Sequence, residues 1–186
     1  RGFVTPLIEA GAEVRPYNPP AWTAGIGLFS RNHRKSLIID EHTAFVSGLC
    51  ISAAWNGKPA KGIEAWRDTG LALQGPIVQD VLAAFEDTLV SQGGTMPPLK
   101  RYENEDAMPA GSTRARVLAT TPANINTMRL DLNIIGLSTQ NLWITDAYFM
   151  PTRMYVQALI NAAKAGVDVR ILVPRTSDIK WIGTVS

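Results

Sequence analysis

His33-Arg34-Lys35-Ser36-Leu37-Ile38-Ile39-Asp40 sets a histidine, a lysine and an aspartate around a short apolar run. Ser36 to Ile39 reads as a strand, and in an extended chain residues i and i+2 share a face. His33 and Lys35 therefore project together while Arg34 points away. An imidazole beside a fixed ammonium suits attack on a phosphorus whose oxygens carry negative charge, so the pair points to phosphodiester chemistry through a nucleophilic histidine. A lone H-x-K is ordinarily a solvated, charged strand end; Asp40 and the apolar run set this one apart.

Downstream, Thr43-Ala44-Phe45-Val46-Ser47-Gly48-Leu49-Cys50-Ile51-Ser52 resembles the second half of the phospholipase D superfamily signature, H-x-K-x4-D-x6-G-(G/S)-x-N. Ser47 takes the first glycine position and Gly48 the second. Cys50 stands where the family usually has Asn, and its thiol is a much weaker hydrogen-bonding group. Trp66-Arg67-Asp68-Thr69, followed by Leu71-Ala72-Leu73-Gln74-Gly75-Pro76, is similar to the segment after the first catalytic motif in bacterial cardiolipin synthase-like members. Tyr148-Phe149-Met150-Pro151 and Val169-Arg170-Ile171-Leu172-Val173-Pro174 resemble the opening of the second half of those proteins.

The resemblance implies two similar α/β halves packed face to face, with one H-x-K-x4-D from each meeting at a joint site. It implies a reaction with two histidines. One attacks phosphorus to form a phosphohistidine; the other protonates the leaving alkoxide and then deprotonates the incoming water or alcohol. His33 is the expected catalytic histidine, as nucleophile or as acid/base. Lys35 and Ser47 are the phosphate-binding candidates. Asp40, which period-2 geometry puts on the face opposite Lys35, is expected to buttress the motif. In the family a separate acidic residue orients the histidine; Asp68 is the candidate here and Glu64 the reserve. Tyr148 follows a predicted strand, where binding loops gather, although core packing explains it equally well.

Composition sets bounds on the rest. A chain of 186 residues, 46% of them hydrophobic, can bury a sizeable core. Eighteen basic residues against sixteen acidic ones leave +2, too small and too dispersed a charge for nucleic acid to be the leading partner. No run approaches the length of a membrane span, so a membrane contact is expected to be peripheral or made by another part of the protein. The expected location is the cytoplasm or the periphery of the bacterial inner membrane. Cys50 is the single cysteine, which excludes an intramolecular disulfide and reads as a small buried residue rather than a reactive thiol. The implied chemistry requires no metal or cofactor, and there is no dense Asp/His cluster to suggest one.

Along the chain, Leu7 to Gly11 reads as a helix end, Glu13 to Arg15 as a strand, and Asn18 to about Ser30 as a loop broken by Pro and Gly. Leu37–Asp40 and Thr43–Ser47 predict a hairpin, with His42 a solvated turn residue. Asp68 to Gln74 predicts a strand, and Ile77, Val78, Val81, Leu82, Phe85 and Leu89 form the core stripe of a helix. Gly93-Gly94, Pro97-Pro98 and Pro109-Ala110-Gly111 mark residues 92–113 as a linker between a first unit, 1–91, and a second, 114–186. In the second unit strands are expected at Arg116–Ala119, Leu142–Thr145 and Val167–Val173, with helices at Thr127–Ser138 and Thr152–Ala165. That alternation argues for an α/β fold with a mainly parallel or mixed sheet flanked by helices, here an incomplete two-half architecture. Ala10-Gly11-Ala12-Glu13-Val14-Arg15 is echoed weakly by Ala165-Gly166-Val167-Asp168-Val169-Arg170.

His33 and His42 are the only histidines, so one catalytic motif is present. The chain is expected to be a fragment: Arg1 replaces an initiator Met, and Ser186 falls before the place of a second motif. The isolated chain is then expected to turn over little or nothing. The leading expectation is a phosphatidyl-transferring or phosphodiester-cleaving enzyme acting on glycerophospholipid, whose partner is its own missing half or a second copy. The alternatives are a nuclease or other phosphodiesterase of the same chemistry, and a non-catalytic phosphate- or lipid-binding fragment or one-motif homodimer.

Overall fold

The hairpin is present in the computed structural model, which describes residues 2–19, 31–98, 111–121 and 124–175. Strands β1 (Ser36–Ile39) and β2 (Thr43–Val46) pair antiparallel with Leu37 opposite Phe45. Asp40 and Glu41 turn the chain with φ of 52° and 57°, and the His42 N–H donates to the Ile39 carbonyl at 3.0 Å. Two consecutive left-handed residues give a turn whose twist matches that of the flanking strands. His42 is exposed in it. Strand β3 (Leu71–Gln74) adds to the other edge of β2, again antiparallel, with Leu73 opposite Ala44.

One face of this sheet carries Ile38, Ala44 and Leu73, and these pack on helix α2 (Ile77–Ser91) through Val78 and Val81. Val78, Val81 and Leu82 are buried, as the stripe predicts, but Phe85 is 44% exposed. The helix ends on Gly93 (φ 73°), where the Gly94 N–H reaches back to the Leu89 carbonyl at 3.0 Å.

Helix α1 (Thr5–Glu9) ends in the same way as α4 (Arg153–Lys164). Gly11 and Gly166 take φ of 93° and 91°. In each, the residue after the glycine donates five back, Ala12 to Leu7 at 2.9 Å and Val167 to Ala162 at 3.1 Å. The sequence echo is therefore one helix-stop motif used twice. The two stops lead into different structures. Strand β5 (Asp168–Leu172) forms after Gly166, whereas Glu13–Arg15 pairs with no strand among the described residues and stays irregular.

The chain divides into two units, Arg1–Val117 and Leu118–Ser186. Helix α2 ends where the expected linker begins, and residues 99–110 of that linker lie outside the described residues. So do residues 20–30 of the expected upstream loop. In the second unit, α3 (Asn126–Leu137), β4 (Asn141–Thr145), α4 and β5 follow one another. Strands β4 and β5 pair parallel, with Trp143 beside Arg170. Ile135 of α3, Leu159 and Ala162 of α4 and Val167 form the buried cluster against Leu142, Ile144 and Val169 of the sheet. Arg116–Ala119 is not a strand; Val117 instead packs against the core of the first unit. The α/β class holds, with an antiparallel sheet in the first unit and a parallel pair in the second.

Candidate functional site

Extended pairing continues past the start of β1. The Ser47 N–H donates to the Lys35 carbonyl at 3.3 Å, so Lys35 stands opposite Ser47 and both belong to the face that carries Leu37 and Phe45. Arg34 belongs to the other face. Its guanidinium donates to the Ala84 carbonyl at 2.8 Å and to Thr88 Oγ1 at 2.6 Å, tying the entry of β1 to α2. With Arg34 held there, alternation sends His33 and Lys35 to the face away from the helix. His33 is exposed, and the Lys35 ammonium lies over its backbone, donating to the His33 carbonyl at 2.8 Å.

Ser47 and Gly48 form the floor beside this pair. The Ser47 hydroxyl accepts from the Leu49 N–H at 3.1 Å, a local turn that directs the chain out of the sheet. A Cβ on Gly48 would lie 2.8 Å from Oδ1 of Asp68. Asp68 is thus brought against the motif from across a long loop. A Cβ on Gly70 would lie 3.1 Å from that of Ser47, so Gly70 also makes room for the site. The sequence reading passed over Gly70, although a glycine immediately before a strand can mark such a close approach; the anchoring role of Arg34 was visible only as its alternation.

The other expected positions are less central. Asp40 sits in the turn at the far end of β1, up to about 16 Å along an extended chain from Lys35. Glu64 is exposed in the loop between Gly48 and Asp68. Among the described residues, no hydrogen bond joins Asp68 to His33. Cys50 is exposed, contrary to the expectation of burial. The chain has already left the sheet at Gly48, so the apolar run that includes Cys50 does not enter the core.

Tyr148 lines a cavity of about 370 Å³ in the second unit, at the carboxyl end of β4, with Asp131, Asp146, Phe149 and Tyr155 around it. The Tyr155 hydroxyl donates to Asp131 Oδ2 at 2.8 Å. Partial burial, and then that bond and the Asp131 charge, push the phenol up to about 12. On the opposite face of β4 and β5, Asp168 accepts from Trp143 and Arg170, and the Arg170 guanidinium sits 5.7 Å from the Trp143 ring centre. The Arg170 hydrogen bond, then the Trp143 one, hold the Asp168 carboxyl below its usual range.

His33 and Lys35 at the entry of β1, Ser47 opposite Lys35, and Asp68 beside Gly48 thus gather at one end of the first sheet. The family described as "Cardiolipin synthase, PLD-like domain" matches residues 132–185. Cardiolipin synthase A of Pseudomonas fluorescens (strain SBW25) is 32% identical over 99% of this chain and 38% of its own length. Cardiolipin synthase 1 of Bacillus cereus is 30% identical over 96% of this chain and 37% of its own, and a cardiolipin synthase of Alkalihalophilus pseudofirmus is 32% identical over 96% and 36%. The chain belongs to the phospholipase D-like family, among its cardiolipin synthase-like members. It spans little more than a third of the length of these curated relatives. No solved structure matches it.

Proposed function

We propose that the chain is part of a phosphatidyl-transferring enzyme that works on glycerophospholipid through a phosphohistidine, and that it supplies one of the two catalytic histidines. The observation that carries the reading is the His33–Lys35 pair at the entry of β1, with Ser47 opposite Lys35 and Asp68 against Gly48. The relatives' names, cardiolipin synthase, supply the lipid class.

His33 attacks the phosphorus of the diester, the new N–P bond forms, and the bond to the leaving alkoxide breaks. A second histidine, from the remainder of the protein, gives that alkoxide its proton and then takes one from the incoming alcohol or water. The alcohol oxygen attacks phosphorus, and the imidazole of His33 leaves. The Lys35 ammonium and the Ser47 hydroxyl stabilise the charge that grows on the non-bridging oxygens. Asp68, which stands against Gly48, orients the histidine by closing onto it in the substrate complex, and Asp40 holds the turn that ends its strand. On this reading residues 1–91 and 114–186 are parts of two phospholipase D-like halves, and the partner of the site is the other half of the same protein, at a membrane surface.

Thin-layer analysis of the full-length protein, given phosphatidylglycerol in one assay and an oligonucleotide in another, tests the substrate class. Turnover of the lipid and not of the oligonucleotide is expected; turnover of the oligonucleotide alone contradicts the proposal and selects a nuclease.

A further inference from the structure

Between Gly48 and Asp68 the chain leaves the sheet, and residues 49–67 return to within contact distance of their starting point. The excursion is built, not slack. Lys58 and Ile63 form an isolated antiparallel bridge, with the Lys58 N–H on the Ile63 carbonyl at 2.7 Å and the reverse bond at 3.1 Å. Gly57 (φ 63°) lets the returning backbone close in: a Cβ there would lie 2.5 Å from the Ala65 nitrogen. Trp55 and Trp66 meet edge to face with ring centres 5.5 Å apart.

The composition of this loop does not suit a core. Among the described residues, none from this loop joins either buried cluster. Ile51 is fully exposed, and Ile63 and Trp66 are about half exposed at 51% and 48%. Lys58, Lys61 and Arg67 stand against the single carboxylate of Glu64, so the loop alone carries the whole formal excess of +2 while the remainder of the chain is balanced. Exposed aliphatic side chains with indole rings and flanking lysines match a lipid interface: the rings sit at headgroup depth, the aliphatics enter the acyl boundary, and the ammoniums meet anionic phosphates.

We propose that residues 49–67 are a membrane-docking loop that seats the protein on an anionic lipid surface. Its base is the Gly48–Asp68 contact, so docking by the loop presents the His33–Lys35 site to the bilayer from which a lipid headgroup is drawn. This gives the route of substrate entry for the phosphatidyl transfer and rests on that function only for its purpose, not for the binding itself.

Sedimentation of the chain with phosphatidylcholine vesicles, with and without phosphatidylserine, tests it. Phosphatidylserine is chosen so that surface binding is read apart from phosphatidylglycerol turnover. Binding to the anionic vesicles alone, weakened by salt, is expected. The Lys58→Glu/Lys61→Glu pair lowers the partition coefficient about tenfold or more, and Ile51→Ser/Trp66→Ser lowers it comparably. Leu137→Ser, which removes a 79% exposed leucine from the other unit, binds as wild type. The lysines are exposed, so their variant keeps its fold and remains informative should the tryptophan variant unfold. A wild type that ignores anionic vesicles, loop variants that bind unchanged, or an equal loss with Leu137→Ser each overturns the assignment. Vesicle binding by a full-length protein that leaves phosphatidylglycerol untouched sinks the functional reading and leaves the loop standing; turnover of short-chain lipid without vesicle binding does the reverse.

Discussion

The carboxylate of Asp68 lies against Gly48, with Oδ1 2.8 Å from where a Cβ would stand. A side chain at 48 therefore meets the mobile end of Asp68 and turns it away at little cost. Gly48→Ala is expected to change stability by under about 1 kcal/mol and to lower turnover by the full-length protein about 10- to 100-fold, because the carboxylate is displaced. Thermal unfolding and kinetics on the same variant separate the two effects.

Gly57→Ala should behave in the opposite way. Its Cβ would meet the backbone of residues 63–65 at 2.5 to 2.8 Å, in a left-handed conformation, and backbone cannot rotate aside as a carboxylate can. A loss of about 1–3 kcal/mol is expected in urea denaturation. If the alanine is tolerated without loss, the loop is not closed as described.

Arg34 holds the first strand to the helix through two hydrogen bonds from its charged group. Arg34→Ala is expected to cost about 1.5–3 kcal/mol, measured by the same method. Thr88→Val removes one of the two acceptors and should cost less; a larger effect at Thr88 than at Arg34 would contradict this anchoring.

Tyr155 should titrate late. Its phenol is raised from 10.0 to about 12, so the folded state keeps a proton that the unfolded state releases first. That contribution to stability is complete below about pH 10 and is lost as pH climbs toward 12. Ultraviolet titration of tyrosinate should show one high-pH phase that Tyr155→Phe removes, and stability of the wild type should fall more steeply than that of the variant across this window. Equal slopes would mean that burial and the Asp131 bond together do not raise the phenol.

Much of the fold was legible because its signals are local. The β-branched and apolar runs at Leu37–Asp40 and Thr43–Ser47 predict the hairpin, and the helical stripe from Ile77 onward predicts α2. The Gly166 stop separates α4 from β5. The misses share a cause. Glu13–Arg15 and Arg116–Ala119 have strand-like residues, but a strand exists only if a neighbour offers its edge, and pairing is not a property of the segment. Cys50 and Phe85 read as buried because apolar residues flank them or recur at the right spacing, whereas Cys50 lies beyond the point where the chain leaves the sheet and Phe85 is 44% exposed on its helix. At the site, His33 and Lys35 were readable from spacing and Asp68 only from resemblance, since a long loop intervenes. The contact of Asp68 with Gly48 needed coordinates.

The account depends most on His33. Phosphatidylglycerol turnover by the full-length protein, wild type against His33→Ala, measured by thin-layer separation of the products, is the direct test. A fall of about a thousandfold or more is predicted, because removing the histidine removes the covalent route or its proton transfer. Undiminished turnover in His33→Ala would contradict it.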